Sequence, residues 1–192
     1  MKERKTFWDK NAGRYDRFMR KNRAAYEEMY TLIRPVVKAK TVLELATGTG
    51  LIAKHIVNAA AHIEATDASP EMILEAKRDN RSAKLHFSVQ DMFRLPYADK
   101  SFDVVIVSNA LHIVPQPEKA LAEIRRVLKV GGTFLICNES NGDTDKDKKW
   151  TKIIGGMTIY KDVELKAYLE QAGFHEVQIQ KKKSWLCITA RK

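Results

Sequence analysis

One stretch of ten residues, Thr41 to Gly50 (TVLELATGTG), constrains the fold of this chain more than any other. Its first half is a short run of apolar and β-branched residues, which is typical of a strand buried on both faces. Gly48 and Gly50 follow, and residues 51–57 then have the apolar spacing of a helix. A strand, a glycine turn and a helix in this order present backbone N–H groups at the positive end of the helix. The stretch therefore predicts an α/β sheet with a small polar ligand at the turn.

Two classes of ligand fit this turn. The spacing Gly48-x-Gly50-x-x-Ala53 matches the dinucleotide-binding pattern, and Asp67 follows Gly50 by 17 residues. Glu44 opposes that interpretation, because a carboxylate at the strand end repels a pyrophosphate and attracts an ammonium group. Glycine is expected at the turn in either case, since a side chain would block the ligand or forbid the backbone angles.

Acidic residues also follow the next two predicted strands. The strand 62–66 ends at Asp67, which is placed to accept hydrogen bonds from two ribose hydroxyls. Ser69 and Pro70 then suit the first turn of a helix. The strand 84–89 is followed by Asp91, which fits a turn as well as it fits an adenine amino group. These features favour a nucleoside ligand without choosing between the two classes.

The remaining pattern continues as alternating strands and helices. A strand is predicted at 102–107, and residues 130–137 are predicted to form a glycine turn, at Gly131-Gly132, and the fifth strand. The predicted helices are 26–37, stopped near Pro35, then 115–128, and 160–172 ended by Gly173. Two short strands, 176–180 and 185–189, form a closing hairpin.

Taken together, these motifs resemble the class I S-adenosylmethionine-dependent methyltransferases. The first motif is Glu44-x-x-x-Gly48-x-Gly50, with Ala46 where many members have a third glycine. The later matches are Asp91-Met92, Leu95-Pro96-Tyr97-x-x-x-Ser101-Phe102-Asp103, Ser108 to His112, and Leu128-Lys-Val-Gly-Gly132. The segment Phe7-Trp-Asp-x-x-Ala12-x-x-Tyr15-Asp16 looks like the N-terminal segment of the ubiquinone/menaquinone-type members.

The resemblance implies a doubly wound, seven-stranded, mostly parallel sheet of the Rossmann-like methyltransferase fold, with a C-terminal antiparallel hairpin strand. It implies a single methyltransferase domain over residues 1–192, with an N-terminal helical cap over residues 1–37. In the family this cap closes over the cofactor.

The resemblance also implies S-adenosylmethionine as cofactor and S-adenosylhomocysteine as its product. Glu44 would hold the methionine amino end, Asp67 the ribose, and Asp91 with Met92 the adenine. The full set of expected cofactor-binding residues is Tyr15, Glu44, Ala46, Gly48, Gly50, Asp67, Ala68, Met72, Asp91, Met92, Asn109 and Ala110.

His112 is the candidate catalytic residue, because it follows the fourth motif, where the strand end abuts the transferring methyl group in the family. A general base is needed only if the acceptor loses a proton. A structural histidine at a helix start is the alternative. The aromatic residues Trp8, Tyr15, Trp150 and Tyr160 are candidates for the walls of an acceptor pocket, and packing is their alternative role.

The net charge of +10 is concentrated at the chain ends. Residues 1–25 carry nine Lys and Arg against three acidic residues, and residues 181–192 carry five with no acid. One explanation of this charge is solubility. The other is binding to an acidic partner or an anionic surface, which leaves peripheral membrane contact open. No apolar run reaches the length of a membrane span, no Cys/His spacing suits a metal, and Cys137 and Cys187 fit buried thiols. These observations favour a cytoplasmic protein.

Three functions remain in competition. The first is methyl transfer to a small-molecule or lipid-like acceptor. Nucleic acid is disfavoured as acceptor, because Asn109-Ala-Leu-His112 stands where amino-group methylases of bases have an Asn/Asp-Pro-Pro-aromatic sequence. The second is an NAD-dependent oxidoreductase, which Glu44 and the closing hairpin oppose. The third is a non-catalytic cofactor-binding protein that uses its basic ends to bind nucleic acid or a partner.

Overall fold

The computed structural model of the chain describes residues 6–19, 23–139, 162–182 and 185–192. The strands are β1 (Thr41–Leu45), β2 (His62–Asp67), β3 (Leu85–Val89), β4 (Phe102–Ser108), β5 (Leu128–Glu139), β6 (His175–Lys182) and β7 (Trp185–Arg191). The α-helices of these parts are α1 (Phe7–Met19), α2 (Arg23–Val37), α3 (Leu51–Ile56), α4 (Pro70–Arg78), α5 (Pro117–Val127) and α6 (Asp162–Gln171). A short 3-10 helix spans Leu111–Ile113.

The seven strands form one sheet in the order β3-β2-β1-β4-β5-β7-β6. β2 runs parallel to β1 and β3, and β4 runs parallel to β5. β7 runs antiparallel to both β5 and β6. The predicted fold class, a mostly parallel seven-stranded sheet with an antiparallel closing strand, is confirmed.

By its internal contacts the chain divides into two compact units, Met1–Pro96 and Tyr97–Lys192. The predicted single domain over 1–192 and helical cap over 1–37 stay predictions. In the first unit β1 is buried on both faces, as its run of apolar residues predicts. Helix α2 supplies core side chains such as Met29 and Ile33, and it continues past Pro35 to the predicted end at Val37.

Helix α4 begins as its sequence predicts. Ser69 is the N-cap, and its hydroxyl accepts a hydrogen bond from the N–H of Met72 at 3.2 Å. Pro70 occupies the first helical position, where its missing N–H costs nothing. Only two residues separate the end of β2 from the start of this helix, and this short connection places Ser69 beside Asp67.

In the second unit Cys137 on β5 pairs directly with Cys187 on β7. Both side chains are buried, and one thiol donates a hydrogen bond to the other with the sulfur atoms 2.9 Å apart. The prediction of buried thiols in two apolar strands agrees with this arrangement.

The glycine pair before the fifth predicted strand lies inside β5, which begins at Leu128. Leu128 pairs with Phe102, and the register shifts before Thr133, so the strand contains an irregularity at the glycines. Gly131 has a φ of 72°, which places it in the left-handed region. The predicted glycine turn is therefore an irregularity within β5 and does not precede it, because the strand pairs with β4 at Leu128 as well as from Thr133 onward.

Substitution of alanine for each of the two glycines should lower the free energy of unfolding by different amounts. A Cβ on Gly132 would lie 2.8 Å from the carbonyl oxygen of Lys129 and 3.1 Å from that of Asp103, whereas a Cβ on Gly131 would meet no atom within 4 Å. We expect Gly132→Ala to lower the free energy of unfolding by roughly 2–3 kcal/mol, because backbone must move. Gly131→Ala should cost only ~1 kcal/mol, for its positive φ. Urea unfolding measures both, and equal costs would contradict the packing argument.

Candidate active site

The turn after β1 is built from three residues in the left-handed region. Ala46, Gly48 and Gly50 have φ values of 53°, 58° and 75°. The N–H of Thr47 donates to the carbonyl oxygen of Thr66 at 2.9 Å, which ties the turn to β2. Glycine is the residue that adopts this conformation without strain, so Ala46 carries a cost of about 1 kcal/mol.

Gly50 is required for a reason that the sequence does not reveal. A Cβ at this position would lie 2.4 Å from the ring of Phe87 on β3. Glycine is therefore needed at this position both for the positive φ and for the close packing of the Phe87 ring. Access for a ligand, the reason expected from the motif, is not needed to explain it.

Glu44 lies at the end of β1 with only 1% of its surface exposed. Its Oε2 accepts a hydrogen bond from Thr47 Oγ1 at 2.9 Å. Burial raises the pKa of Glu44 to about 8, although the hydrogen bonds from Thr47 and from the N–H of Ala53 oppose the rise. The carboxyl group is therefore mostly neutral at pH 7, and a cation placed beside it would favour its ionised form.

Asp67 lies at the end of β2 and joins two backbone segments. Its Oδ2 accepts from the N–H of Gly48 at 2.8 Å, and its Oδ1 accepts from the N–H of Ser69 at 2.9 Å. Burial raises the pKa of Asp67, hydrogen bonds from the N–H groups of Ser69, Gly48 and Ala68 lower it, and the nearby charge of Asp9 raises it further. A carboxylate has about four acceptor positions, and these backbone N–H groups do not fill all of them.

Asp91 lies after β3, and its side chain is exposed. Its Oδ1 accepts from the N–H of Phe93 at 2.9 Å, so the turn role that the sequence left open is present. The N–H of Gln90 donates to the carbonyl oxygen of Asp67 at 3.0 Å, which joins the ends of β3 and β2. The parallel register thus brings Glu44, Asp67 and Asp91 to the same edge of three neighbouring strands.

The other predicted residues of this unit differ in exposure. Ala68 is exposed beside Asp67, and Met92 is half-buried. Met72 is 2% exposed, so its side chain belongs to the core. Tyr15 belongs to α1, but its side chain lies outside the described residues.

Asp9 in α1 is a residue of this site that the sequence reasoning missed. Its Oδ1 accepts from Ser69 Oγ at 2.5 Å, and its Oδ2 accepts from the N–H and the Oγ1 of Thr6 at 2.8 and 2.7 Å. The spacing Thr6-x-x-Asp9 is that of a helix-capping pair, and this was the available signal. Nothing in that spacing indicates the contact with Ser69, which lies 60 residues away.

The second unit holds the remaining candidates. Asn109 has a φ of 50°, and its N–H donates to the carbonyl oxygen of Cys137 at 3.0 Å and to Asn138 Oδ1 at 3.2 Å. Ala110 is buried, and half-buried His112 lies in the 3-10 helix. The predicted roles of these three residues at the cofactor stay predictions. Trp150 and Tyr160 lie outside the described residues.

Two kinds of feature are not found in the described ranges. No helix there has the length and apolarity to cross a membrane. Across the same ranges His, Cys, Asp and Glu side chains form no group of three or more that could hold a metal ion.

The known proteins that are similar to this chain are methyltransferases. Residues 43–136 match the model of the family described as a methyltransferase domain. A demethylmenaquinone methyltransferase of Clavibacter sepedonicus is 38% identical over 108 residues, which cover 54% of this chain and 43% of that protein. An arsenite methyltransferase of Halobacterium salinarum is 30% identical over 156 residues, which cover 74% of this chain and 39% of that protein. The chain thus spans less than half the length of either relative.

A solved structure is similar over nearly the whole chain. It is a chain of a complex between the Haloferax volcanii Trm112 methyltransferase activator and a methyltransferase, with a TM-score of 0.83 and 22% identity. The match covers 98% of this chain and 99% of that one. At this identity the likeness shows a common fold.

The burial of Glu44 predicts a stability that depends on pH in a defined direction. The folded-state pKa of about 8 lies above the ordinary value of 4.5. The unfolded chain therefore releases its proton first, and stability falls as the pH rises between these values. Relative to Glu44→Gln, we expect the wild type to lose roughly 3 kcal/mol between pH 4.5 and pH 7.

Urea unfolding of both proteins across this pH range, without ligand, measures the difference. The amide introduced by Glu44→Gln keeps an oxygen that accepts from Thr47 but cannot ionise. Glu27→Gln, at an exposed position of α2, controls for the loss of one negative charge. Parallel pH curves for the wild type and Glu44→Gln would contradict the expected ionisation of Glu44.

Proposed function

Since the chain belongs to the class I S-adenosylmethionine-dependent methyltransferases, we propose that it binds S-adenosylmethionine at the turn after β1 and transfers its methyl group to a small-molecule or lipid-like acceptor. One observation carries this proposal. Three hydrogen-bond-accepting carboxyl groups, those of Glu44, Asp67 and Asp91, lie at the carboxyl ends of three adjacent strands. The cofactor offers matching donors in its ammonium group, ribose hydroxyls and adenine amino group.

Glu44 would bind the ammonium group of the methionine end. A buried neutral carboxyl group gives up its proton when a cation is held beside it, because the attraction offsets the cost of burial. The pyrophosphate of a dinucleotide would have the opposite effect and keep the proton on Glu44. This difference favours the methyl donor over NAD as the ligand.

Asp67 would bind the ribose. The N–H groups of Gly48 and Ser69 already fix its carboxylate, so ribose hydroxyls can bind without reorganising it. Asp91 and Met92 would bind the adenine, with Asp91 accepting from the amino group. Ala46, Gly48 and Gly50 shape the turn, and Ala68 lies exposed beside the ribose carboxylate.

The reaction itself asks little of side chains. The acceptor's electron pair forms a bond to the methyl carbon while the bond from carbon to sulfur breaks, and the sulfur keeps that electron pair. Alignment of acceptor, methyl group and sulfur supplies most of the acceleration. If the acceptor is a hydroxyl or another protonated group, His112 is our proposed base. An acceptor that already carries a lone pair makes that base unnecessary.

The relatives support an acceptor that is not a nucleic acid base. Two of them are named for demethylmenaquinone and for arsenite. The sequence Asn109-Ala-Leu-His112 after β4 also differs from that of amino-group methylases of bases. A small-molecule or lipid-like acceptor is consistent with both observations.

Binding of S-adenosylhomocysteine should release a proton. At pH 7 we expect nearly one proton to leave Glu44, and the affinity should rise up to about 10-fold per pH unit below pH 8. Calorimetry in two buffers with different ionisation enthalpies measures the released proton directly. Glu44→Gln should bind more weakly and release none. Micromolar binding of NAD, with no binding of S-adenosylhomocysteine, would overturn the proposed function.

Asp67→Ala should weaken the binding of S-adenosylhomocysteine by roughly 30- to 1000-fold, because charge-assisted hydrogen bonds are worth ~2–4 kcal/mol. Asp79→Ala, at the exposed end of α4, is the matched control and should bind normally. Calorimetry gives the affinities, and thermal unfolding checks that each variant is folded. Equal affinities of a folded Asp67→Ala and the control would exclude the ribose role of Asp67.

A further inference from the structure

The carboxylate of Asp9 connects the first turns of two helices. Its Oδ2 accepts from the N–H and the hydroxyl of Thr6, and the N–H of Asp9 donates back to Thr6 Oγ1 at 3.2 Å. This is a reciprocal cap at the start of α1. Its Oδ1 accepts from the hydroxyl of Ser69, the N-cap of α4. One negative charge is thus shared between two positive helix ends.

The direction of the bond between Asp9 and Ser69 follows from the groups involved. Ser69 Oγ accepts from the N–H of Met72, and its single proton is left for Asp9, which as a carboxylate only accepts. The backbone N–H of the same Ser69 donates to Asp67 Oδ1. Ser69 is 6% exposed, so water does not compete strongly for these bonds.

Packing supports the same connection. Helix α1 contacts α4. A Cβ on Gly13 would lie 3.7 Å from Glu75 Oε1, so the side chain of Glu75 in α4 lies next to this glycine of α1. The bond between Asp9 and Ser69 therefore lies at the start of a helix pair whose axes are held together by further contacts.

We propose that Asp9 is a positioning residue that latches α1 to the cofactor site, by holding Ser69 and through it the carboxylate of Asp67. This inference rests on the proposed function, because it gives Asp67 the role of binding ribose. By thermodynamic reciprocity, a ligand held by Asp67 must also strengthen the docking of α1. The latch thus makes the N-terminal helix responsive to the presence of cofactor.

The latch has an electrostatic component that distinguishes it from simple packing. Asp9 and Asp67 are both acidic, and the helix ends and backbone N–H groups around them compensate their charges. Asp9→Asn keeps the size of the side chain, but its amide must turn a donor toward either Ser69 or Thr6. Asp9→Ala removes the link altogether.

The test is a double-mutant cycle on the affinity for S-adenosylhomocysteine, measured by calorimetry. We expect Asp9→Ala and Ser69→Ala each to weaken binding by roughly 5- to 20-fold, and the double variant to bind about as weakly as the weaker single variant. Ser69→Thr keeps the hydroxyl and should bind within about 3-fold of the wild type. Thr6→Ala removes the side-chain cap of α1 but leaves the contact with Ser69, so it should also stay within about 3-fold.

Hydrogen exchange supplies a readout that helix capping alone would not move. S-adenosylhomocysteine should slow amide exchange in α1 of the wild type and of Thr6→Ala, but not of Asp9→Ala. If the wild type and Asp9→Ala bind the ligand with equal affinity and the ligand slows amide exchange in α1 equally in both, the latch is overturned. The proposed function is left intact by that result. A folded wild type that does not bind the ligand would overturn both.

Discussion

The first unit depends on the hydrogen bonds that the carboxylate of Asp67 accepts. The carboxylate accepts backbone N–H groups from Gly48, in the turn after β1, and from Ser69, at the start of α4. Burying this group is costly, and those N–H groups offset the cost only while both segments keep their positions. The turn, the helix start and, through Ser69, the first turn of α1 are therefore fixed by one side chain. A ligand that binds there meets acceptors that are already oriented.

The carboxyl group of Glu44 differs from that of Asp67 in its burial and in its hydrogen bonds. It is buried with fewer compensating donors, and burial raises its pKa to about 8, whereas Asp67 is fixed by backbone N–H groups on both oxygens. The two carboxyl groups, on adjacent strands, therefore favour different partners. A cation would stabilise the ionised form of Glu44, whereas neutral hydroxyls can bind to Asp67, and a ligand with a cation at one end and hydroxyls further along offers both. Burying Glu44 lowers the stability of the unliganded protein, and the proposed binding of an ammonium group would offset that loss.

The sequence predicted those features that depend on neighbouring residues along the chain. β1 and β2 follow from their apolar runs, and the start of α4 follows from Ser69 and Pro70. The features that it did not predict depend on distant partners. Gly50 is glycine because Phe87 packs against it, and Asp9 matters because it contacts a residue 60 positions away. The glycines of β5 form an irregularity and not a turn, because β5 pairs with β4 on both sides of them. Propensity is local, whereas these contacts are created by the fold.

The groups proposed to bind in the first unit are those that every molecule of the methyl donor carries: an ammonium group, a ribose and an adenine. Relatives named for different acceptors are similar to this chain, as a shared donor site would allow. The acceptor must therefore be recognised by groups outside the edge formed by β1, β2 and β3. The proposed latch from this edge to α1 would give those groups a way to respond to the donor, because Ser69 donates hydrogen bonds both to Asp67 and to Asp9 of α1. Hydrogen bonds of this kind are individually weak, so such a helix would dock and undock without unfolding the sheet.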